Sequence, residues 1–156
     1  FSIVLVALMM AGTAAAQTHR SPNRAWVSGF GQGIIEASIR NNDGSELRFS
    51  CPAGAEDVKP SITLTLAAGG PVSAVGNVNA VFEIDGVGHE WLFDRSDSTV
   101  EYVSEAFNFR VEADQQRLAD ALRHGDKLVV FVPVDQVMQA FSLVGSGDAL
   151  EGCVDE

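Results

Sequence analysis

Cysteine, lysine and histidine are scarce in this sequence of 156 residues, which contains two cysteines and three histidines. The only lysines are Lys59 and Lys127, and the formal net charge is −11. An acidic, lysine-poor surface argues against nucleic acid or anionic membranes as partners, because both require basic patches. The negative charge is better explained by solubility, or by a saline habitat, than by an acidic recognition surface. The cysteines and histidines show no zinc spacing, so we expect neither a metal nor a cofactor.

The sequence also lacks recognisable catalytic motifs. The glycines of "SGFGQG" do not follow the G-x-G-x-x-G spacing, and "GHEW" is not followed by the second histidine of H-E-x-x-H. "GSGD" departs from the G-x-S-x-G nucleophile elbow, which leaves Ser146 as a helix cap rather than a nucleophile. "NNDGSE" supplies half of an EF-hand loop at best and is read as a turn. We therefore predict no enzyme, with a hydrolase using His89 as the weakest alternative.

The first residues predict export. Residues 1–12 are largely apolar and uncharged, and small residues follow up to the alanines at 14–16, which is typical of a secretory signal cut before Gln17. The basic n-region and an initiator methionine are absent, so we expect the natural chain to start further upstream. An uncleaved anchor or a core helix is an alternative, although a span needs about 20 apolar residues. We predict a signal over 1–16, a flexible segment over 17–33 and one β-rich domain over 34–156.

Two cysteines in an exported chain favour a disulfide, because oxidising compartments form such bonds. Our working hypothesis is a bond between Cys51 and Cys153. Alternation in "ELRFSC" places Cys51 beside Leu47 and Phe49 on a buried face, and Cys153 shares a face with Leu150 in a short final helix. The bond would hold a chain end that otherwise frays.

Short alternating segments dominate the rest of the sequence. "IIEASIR" and "ELRFSC" flank an Asn-Asp-Gly turn and predict a β-hairpin, and "AVFEIDGVGHEWLFD" predicts a second one turning at 85–88. "SITLTLA", "STVEYVS", "AFNFRVEA" and "VMQAFSLV" predict further strands, and the apolar run "KLVVFVP" predicts a strand covered on both faces. The segment "DQQRLADALRHGD" predicts a helix with Leu118 and Leu122 inward and Gly125 at its end. We predict a mainly antiparallel β-sandwich or open barrel, with one helix before the last two strands and a short C-terminal helix.

Four aromatic residues are candidates for a binding surface: Trp26, Phe30, Trp91 and Tyr102. Aromatic side chains are enriched at protein contacts, although in a small sandwich they more often belong to the core. Both interpretations stay open at this point.

The segments "LRFSC", "DQQRLADALRHGDKLVVFV" and "FSLVGSGDALEGC" resemble a group of small exported proteobacterial proteins. Members share an early strand ending in cysteine, a helix, an Asp/Arg-Leu-Val-Val strand start and a final cysteine; here Lys127 replaces the Asp or Arg. The nearest relatives by this resemblance are the VasI-type proteins associated with type VI secretion. The resemblance covers residues 34–153 and is most specific in the C-terminal segment. It implies a β-rich periplasmic domain with a disulfide, in a Gram-negative bacterium, and no catalytic residues.

We therefore expect a periplasmic or secreted binding domain for an envelope or secretion-system protein. A carrier with an apolar barrel cavity for a small ligand is the main alternative.

Overall fold

The computed structural model describes residues 25–53, 60–67, 76–95, 101–105 and 113–154. Within these ranges the chain forms strands, two α-helices and one 3-10 turn. The strands are β1 (Val27–Gly31), β2 (Ile34–Arg40), β3 (Glu46–Pro52), β4 (Ser61–Thr65), β5 (Gly76–Ile84), β6 (Val87–Arg95), β7 (Glu101–Glu105), β8 (Lys127–Val132) and β9 (Val137–Ser142). The helices are α1 (Ala113–His124) and α2 (Ser146–Val154), and the 3-10 turn is Pro133–Asp135.

These strands form one antiparallel sheet in the order β1-β2-β3-β4-β7-β6-β5-β8-β9. The sheet curls without closing, and its ends approach each other where the Trp26 N–H donates a 2.9 Å hydrogen bond to the Val144 carbonyl. A second contact links the two ends, since the Asn41 amide donates to Gln139 at 2.8 Å. The prediction of a mainly β, open antiparallel fold is confirmed.

One face of the sheet, called the inner face below, carries the core. Alternation places Ala37, Ile39, Leu47, Phe49, Ile62 and Leu64 there, together with Val78, Ala80, Phe82, Phe93, Leu128, Val130 and Val132, all buried. The buried residues Leu118 and Leu122 of α1 and Leu150 of α2 join the same cluster. The faces predicted for the hairpin strands are therefore correct. Side chains of a strand alternate between its two faces, so the positions of the apolar residues determine which face is buried.

The helices lie where the sequence predicts them. Gly125 follows α1, and there a Cβ atom would lie 2.9 Å from the Ala121 carbonyl oxygen and 2.6 Å from Ile84, so no larger residue fits. Helix α2 packs against β2 and β3 at Gly152, where a Cβ would lie 2.3 Å from the end of the Ile35 side chain.

The strand β8 differs from its prediction. Its inner residues are fully buried, whereas Val129 and Phe131 on the opposite face are only half-buried. The continuous apolar run does not reflect cover on both sides; within the described part of the chain, one side of β8 faces outward.

The domain begins earlier than predicted. Residues 27–31, assigned to a flexible segment, form β1 and pair with β2 from Val27↔Ser38 to Gly31↔Ile34. Gln32 and Gly33 have positive φ angles of 53° and 75° and form the two-residue hairpin turn. The segment "SGFGQG", which the sequence places in a flexible region, therefore forms most of the edge strand β1 and its turn. The predicted signal over 1–16, residues 17–24 and residues 106–112 of the predicted strand "AFNFRVEA" lie outside the described residues; Ala113 begins α1.

Candidate functional site

The two cysteines are joined. Cys51 on β3 and Cys153 on α2 form a disulfide with a Cα–Cα distance of 5.3 Å, across 102 residues of sequence. Both are almost fully buried. The bond fixes α2 on the inner face of the sheet, as predicted, and such a bond is consistent with an oxidising compartment.

The four predicted surface aromatics divide into two groups. Trp26 and Tyr102 are buried, so they present no surface to a partner. The Trp26 ring N–H donates to the Ser142 carbonyl at 2.9 Å and its ring packs 5.6 Å from Phe49. Trp91 is half-buried and donates to the Ser104 hydroxyl at 2.9 Å, whereas Phe30 is 72% exposed. For Trp26 and Tyr102 the structure favours the core interpretation, because their polar atoms bond inside the fold and their rings are buried.

Tyr102 on β7 belongs to a buried polar cluster with Arg95 and Asp135. Its hydroxyl donates to the Asp135 carboxylate at 2.9 Å, and the Arg95 guanidinium lies 3.4 Å from the same oxygen. Burial, and then the hydrogen bond to Asp135, raise the pKa of Tyr102 well above its ordinary value. The cluster anchors the 3-10 turn between β8 and β9 to strands β6 and β7, which is a structural role.

His89 lies in β6 and contributes to an open groove of about 390 Å³ between the start of that strand and Arg117 of α1. The other lining residues are Val87, Gly88, Glu90 and Trp91. The Nε2 atom of His89 is buried and makes no hydrogen bond with the described residues. Strand alternation directs His89 and Glu90 to opposite faces, so the adjacent pair does not converge on one point. This arrangement does not favour a hydrolase that uses His89.

Ser146, the other sequence candidate for chemistry, is fully buried. Its hydroxyl lies 2.6 Å from the Leu122 carbonyl and 2.7 Å from the Leu143 carbonyl, so its donor capacity is used inside the fold. It links the end of α1 to the start of α2. This contact supports a structural role and removes Ser146 from the candidates for a nucleophile.

The outer face of the sheet is divided into two halves of different chemistry. On β2 and β3 it is charged and internally paired. Arg40 pairs with Glu46, Arg48 pairs with the same Glu46, and Arg48 also lies 3.9 Å from Glu36. The neighbouring strand β4 adds Ser61, Thr63 and Thr65. This half is polar, and its charged side chains pair with each other.

The other part, on β5, β8 and β9, carries an apolar patch. Val81, Phe131 and Met138 stand side by side across the three strands, and Val129 stands beside Ala140 in the next row. We call these five residues the apolar outer face. Met138 is 63% exposed, Ala140 is exposed and the other three are half-buried. Sequence analysis missed this surface because "KLVVFVP" alone cannot distinguish a strand buried on both sides from one with an exposed apolar side.

Acidic residues border the apolar outer face. Glu83 stands opposite Val129 and Glu90 stands opposite Val81, and both are exposed. The exposed Asp94 lies further along β6, and Lys127 at the start of β8 is the basic residue on this border among the described residues. The surface therefore combines an apolar centre with a mainly negative rim.

No metal site is evident in the described ranges, since no group of three His, Cys, Asp or Glu residues there could hold an ion. None of the helices formed by the described residues is long and apolar enough to cross a membrane.

The fold and its surfaces define a disulfide-linked, curled antiparallel β-domain with two helices on its inner face and one apolar half on its outer face. The sequence model of the YfjT family matches residues 24–150, so the chain belongs to the YfjT family. No curated protein matches the chain, and no solved structure matches it.

Proposed function

We propose that this protein is an exported, non-enzymatic binding domain that works in the periplasm and holds a partner protein on its apolar outer face. The observation that carries the proposal is the contrast between the two halves of the outer face. One half pairs its own charges, whereas the other leaves Met138 and its neighbours without cover among the described residues. Contiguous exposed apolar surface rimmed by polar residues is typical of protein contact sites.

The partner that fits this surface has an apolar centre flanked by lysine or arginine. Glu83 and Glu90 stand beside the patch, Lys127 is the basic residue on its border among the described residues, and the whole chain carries a net charge of −11. Long-range attraction would steer a basic partner toward such a surface. A second copy of this acidic chain is disfavoured here, because it would bring the same carboxylates against each other. The resemblance to secretion-associated proteins supports a partner in the envelope or in a secretion system.

The inner face gives less support to a small-ligand carrier. The described sheet is open, and its inner face is filled by buried side chains such as Phe49, Phe82 and Phe93. A carrier would require an enclosed apolar cavity of several hundred Å³. The groove beside His89 is open and mixed in character rather than enclosed.

The proposal is tested by capture of envelope proteins on the exported protein, with Met138→Glu and Phe131→Glu as variants. The control is Val87→Glu, which makes the same change at a 60% exposed residue outside the apolar outer face. We expect the wild type and the control to capture the same partner. With the purified pair, each test variant should weaken binding by about tenfold or more, as for a residue at the centre of an interface. Binding should also weaken as salt rises, because salt screens the acidic rim. Equal binding by all variants would refute the assignment of the surface.

Export is tested separately by the intact mass of protein recovered from a periplasm, with thiol alkylation before and after reduction. We expect loss of residues 1–16, no free thiol before reduction and two after it. An uncut chain with two free thiols would contradict both the compartment and the role of the disulfide there.

A further inference from the structure

On the side away from β2, the edge strand β1 pairs with no other strand formed by the described residues. All five of its residues are exposed, and the sequence "VSGFG" contains no charge and no proline. Natural sheets commonly block such edges with lysine, proline, a bulge or a covering segment, because an open edge pairs with other strands. Within the part of the chain that the structure describes, β1 shows none of these features. Its pairing with β2 at every position already holds its backbone extended, so the edge needs little ordering before it binds another strand.

The last strand, β9, is partly covered by residues from the β1 and β2 end of the sheet. The Trp26 ring N–H donates a hydrogen bond to the Ser142 carbonyl, and the Trp26 backbone N–H donates one to the Val144 carbonyl. The Asn41 side-chain amide donates to Gln139. These contacts cover β9 at several points. Trp26 directly precedes β1, so the same contacts bring the chain after β9 beside the start of β1, while the five residues of β1 stay exposed.

We propose that the β1 edge pairs with the β1 edge of a second copy of this chain, as antiparallel strands related by a twofold axis at Gly29. Gly29 then faces Gly29 of the other copy, Ser28 faces Phe30, and Val27 faces Gly31. This inference is independent of the proposed partner surface, which lies on different strands.

Side-chain packing favours this pairing. Phe30 is the most exposed large apolar side chain of the described residues, at 72%, and lies beside Ile35 of β2. In the paired strands each Phe30 stands opposite a small serine and diagonal to the other Phe30, a separation that aromatic side chains can bridge. Dimerisation thus covers an aromatic residue that the isolated chain leaves in water.

Charge does not prevent the pairing. The nearest acidic residue on β2 is Glu36, which stands beside Gly29 and lies 3.9 Å from Arg48. In the dimer two Glu36 side chains are separated by three strand spacings, about 14 Å. This exceeds the screening length of about 8 Å at physiological ionic strength. Self-association should therefore strengthen as salt rises from low to physiological concentration, which is the opposite of the behaviour expected for the basic partner.

Sedimentation of the exported protein over a wide concentration range tests the dimer. We expect a reversible monomer–dimer equilibrium that Phe30→Lys weakens by about tenfold or more, since it removes a buried phenyl group from each copy. The matched control is Leu92→Lys, at a residue that is 53% exposed on β6, and it should dimerise like the wild type. A wild-type chain that stays monomeric at all concentrations would overturn the proposal, as would equal loss in both variants.

A cysteine placed on the axis tests the register. A Cβ at Gly29 or at Gly31 meets no atom within 4 Å, so cysteine fits at either position. Directly opposed residues in antiparallel strands lie about 4.5–5.5 Å apart between Cα atoms, within the range for a disulfide. Gly29→Cys should give a covalent dimer on export, whereas Gly31→Cys, about 14 Å from its copy, should not. Covalent dimer from neither variant, or from both equally, would exclude this pairing.

Discussion

Removal of the Cys51–Cys153 bond should lower the free energy of unfolding by about 3–5 kcal/mol. The bond joins residues 102 apart, and constraining a loop of about 100 residues in the unfolded chain is worth about 4.7 kcal/mol in the chain-entropy description. The folded state changes less, because α2 keeps its other anchors: Leu150 stays in the core and Ser146 stays bonded to Leu122. The effect should therefore act mainly through the unfolded state.

The assay is urea unfolding of the exported wild type and of the Cys51→Ala/Cys153→Ala double variant. The variant should unfold at lower urea with a steeper dependence on urea, because its unfolded chain is more expanded. Reduction of the wild type serves as the control and should move the transition in the same direction. The single variants are less informative, since each leaves a free thiol.

Two outcomes would refute this reasoning. A loss below about 1 kcal/mol would show that the bond does little to restrict the unfolded chain. Rapid hydrogen exchange of the α2 amides in the double variant, without urea, would show that the bond is needed to hold α2 on β2 and β3.

Three further changes have definite expected outcomes. Burial raises the pKa of Tyr102 above the ordinary 10.0, so stability should be intact below about pH 10 and fall above it, as the unfolded chain loses this proton first. Because the chain has a single tyrosine, phenolate absorbance should appear only together with unfolding; its appearance in the folded protein near its ordinary pKa would contradict the assignment. Trp26→Phe should lose about 1 kcal/mol and speed hydrogen exchange at the end of β9, because the bond to Ser142 is lost; unchanged stability and exchange would contradict this. Gly125→Ala should lose about 1–3 kcal/mol in urea unfolding, because its methyl group collides with the Ala121 carbonyl; a neutral result would show that the turn can move.

Much of the fold is predictable because the signals are local. Alternation fixes which side of β2, β3 and β4 is buried, and an apolar stripe with a following glycine fixes α1. The pairing of Cys51 with Cys153 follows from compartment and count, since two cysteines allow one intramolecular bond.

The misread features depend on what lies next to each residue in space. The sequence does not predict β1, because the glycines at 29 and 31 leave no side chains there to form an alternating pattern. The sequence offers Trp26 and Tyr102 as possible contacts, because their partners, Ser142 and Asp135, are far away in sequence. The apolar outer face arises only when β5, β8 and β9 are placed in register, which no single segment encodes.

The measurement that tests the central claim most directly is site-specific photocrosslinking in cells that export the protein. A photoreactive residue at Met138 reports on the apolar outer face, and the same residue at Val87 reports on an exposed apolar position outside it. We expect a discrete adduct from Met138 with an envelope protein that presents a basic, apolar surface. This adduct should be lost when Phe131→Glu is added, and Val87 should give no such adduct. Absence of the adduct at Met138, or the same adduct from both positions, would contradict the account.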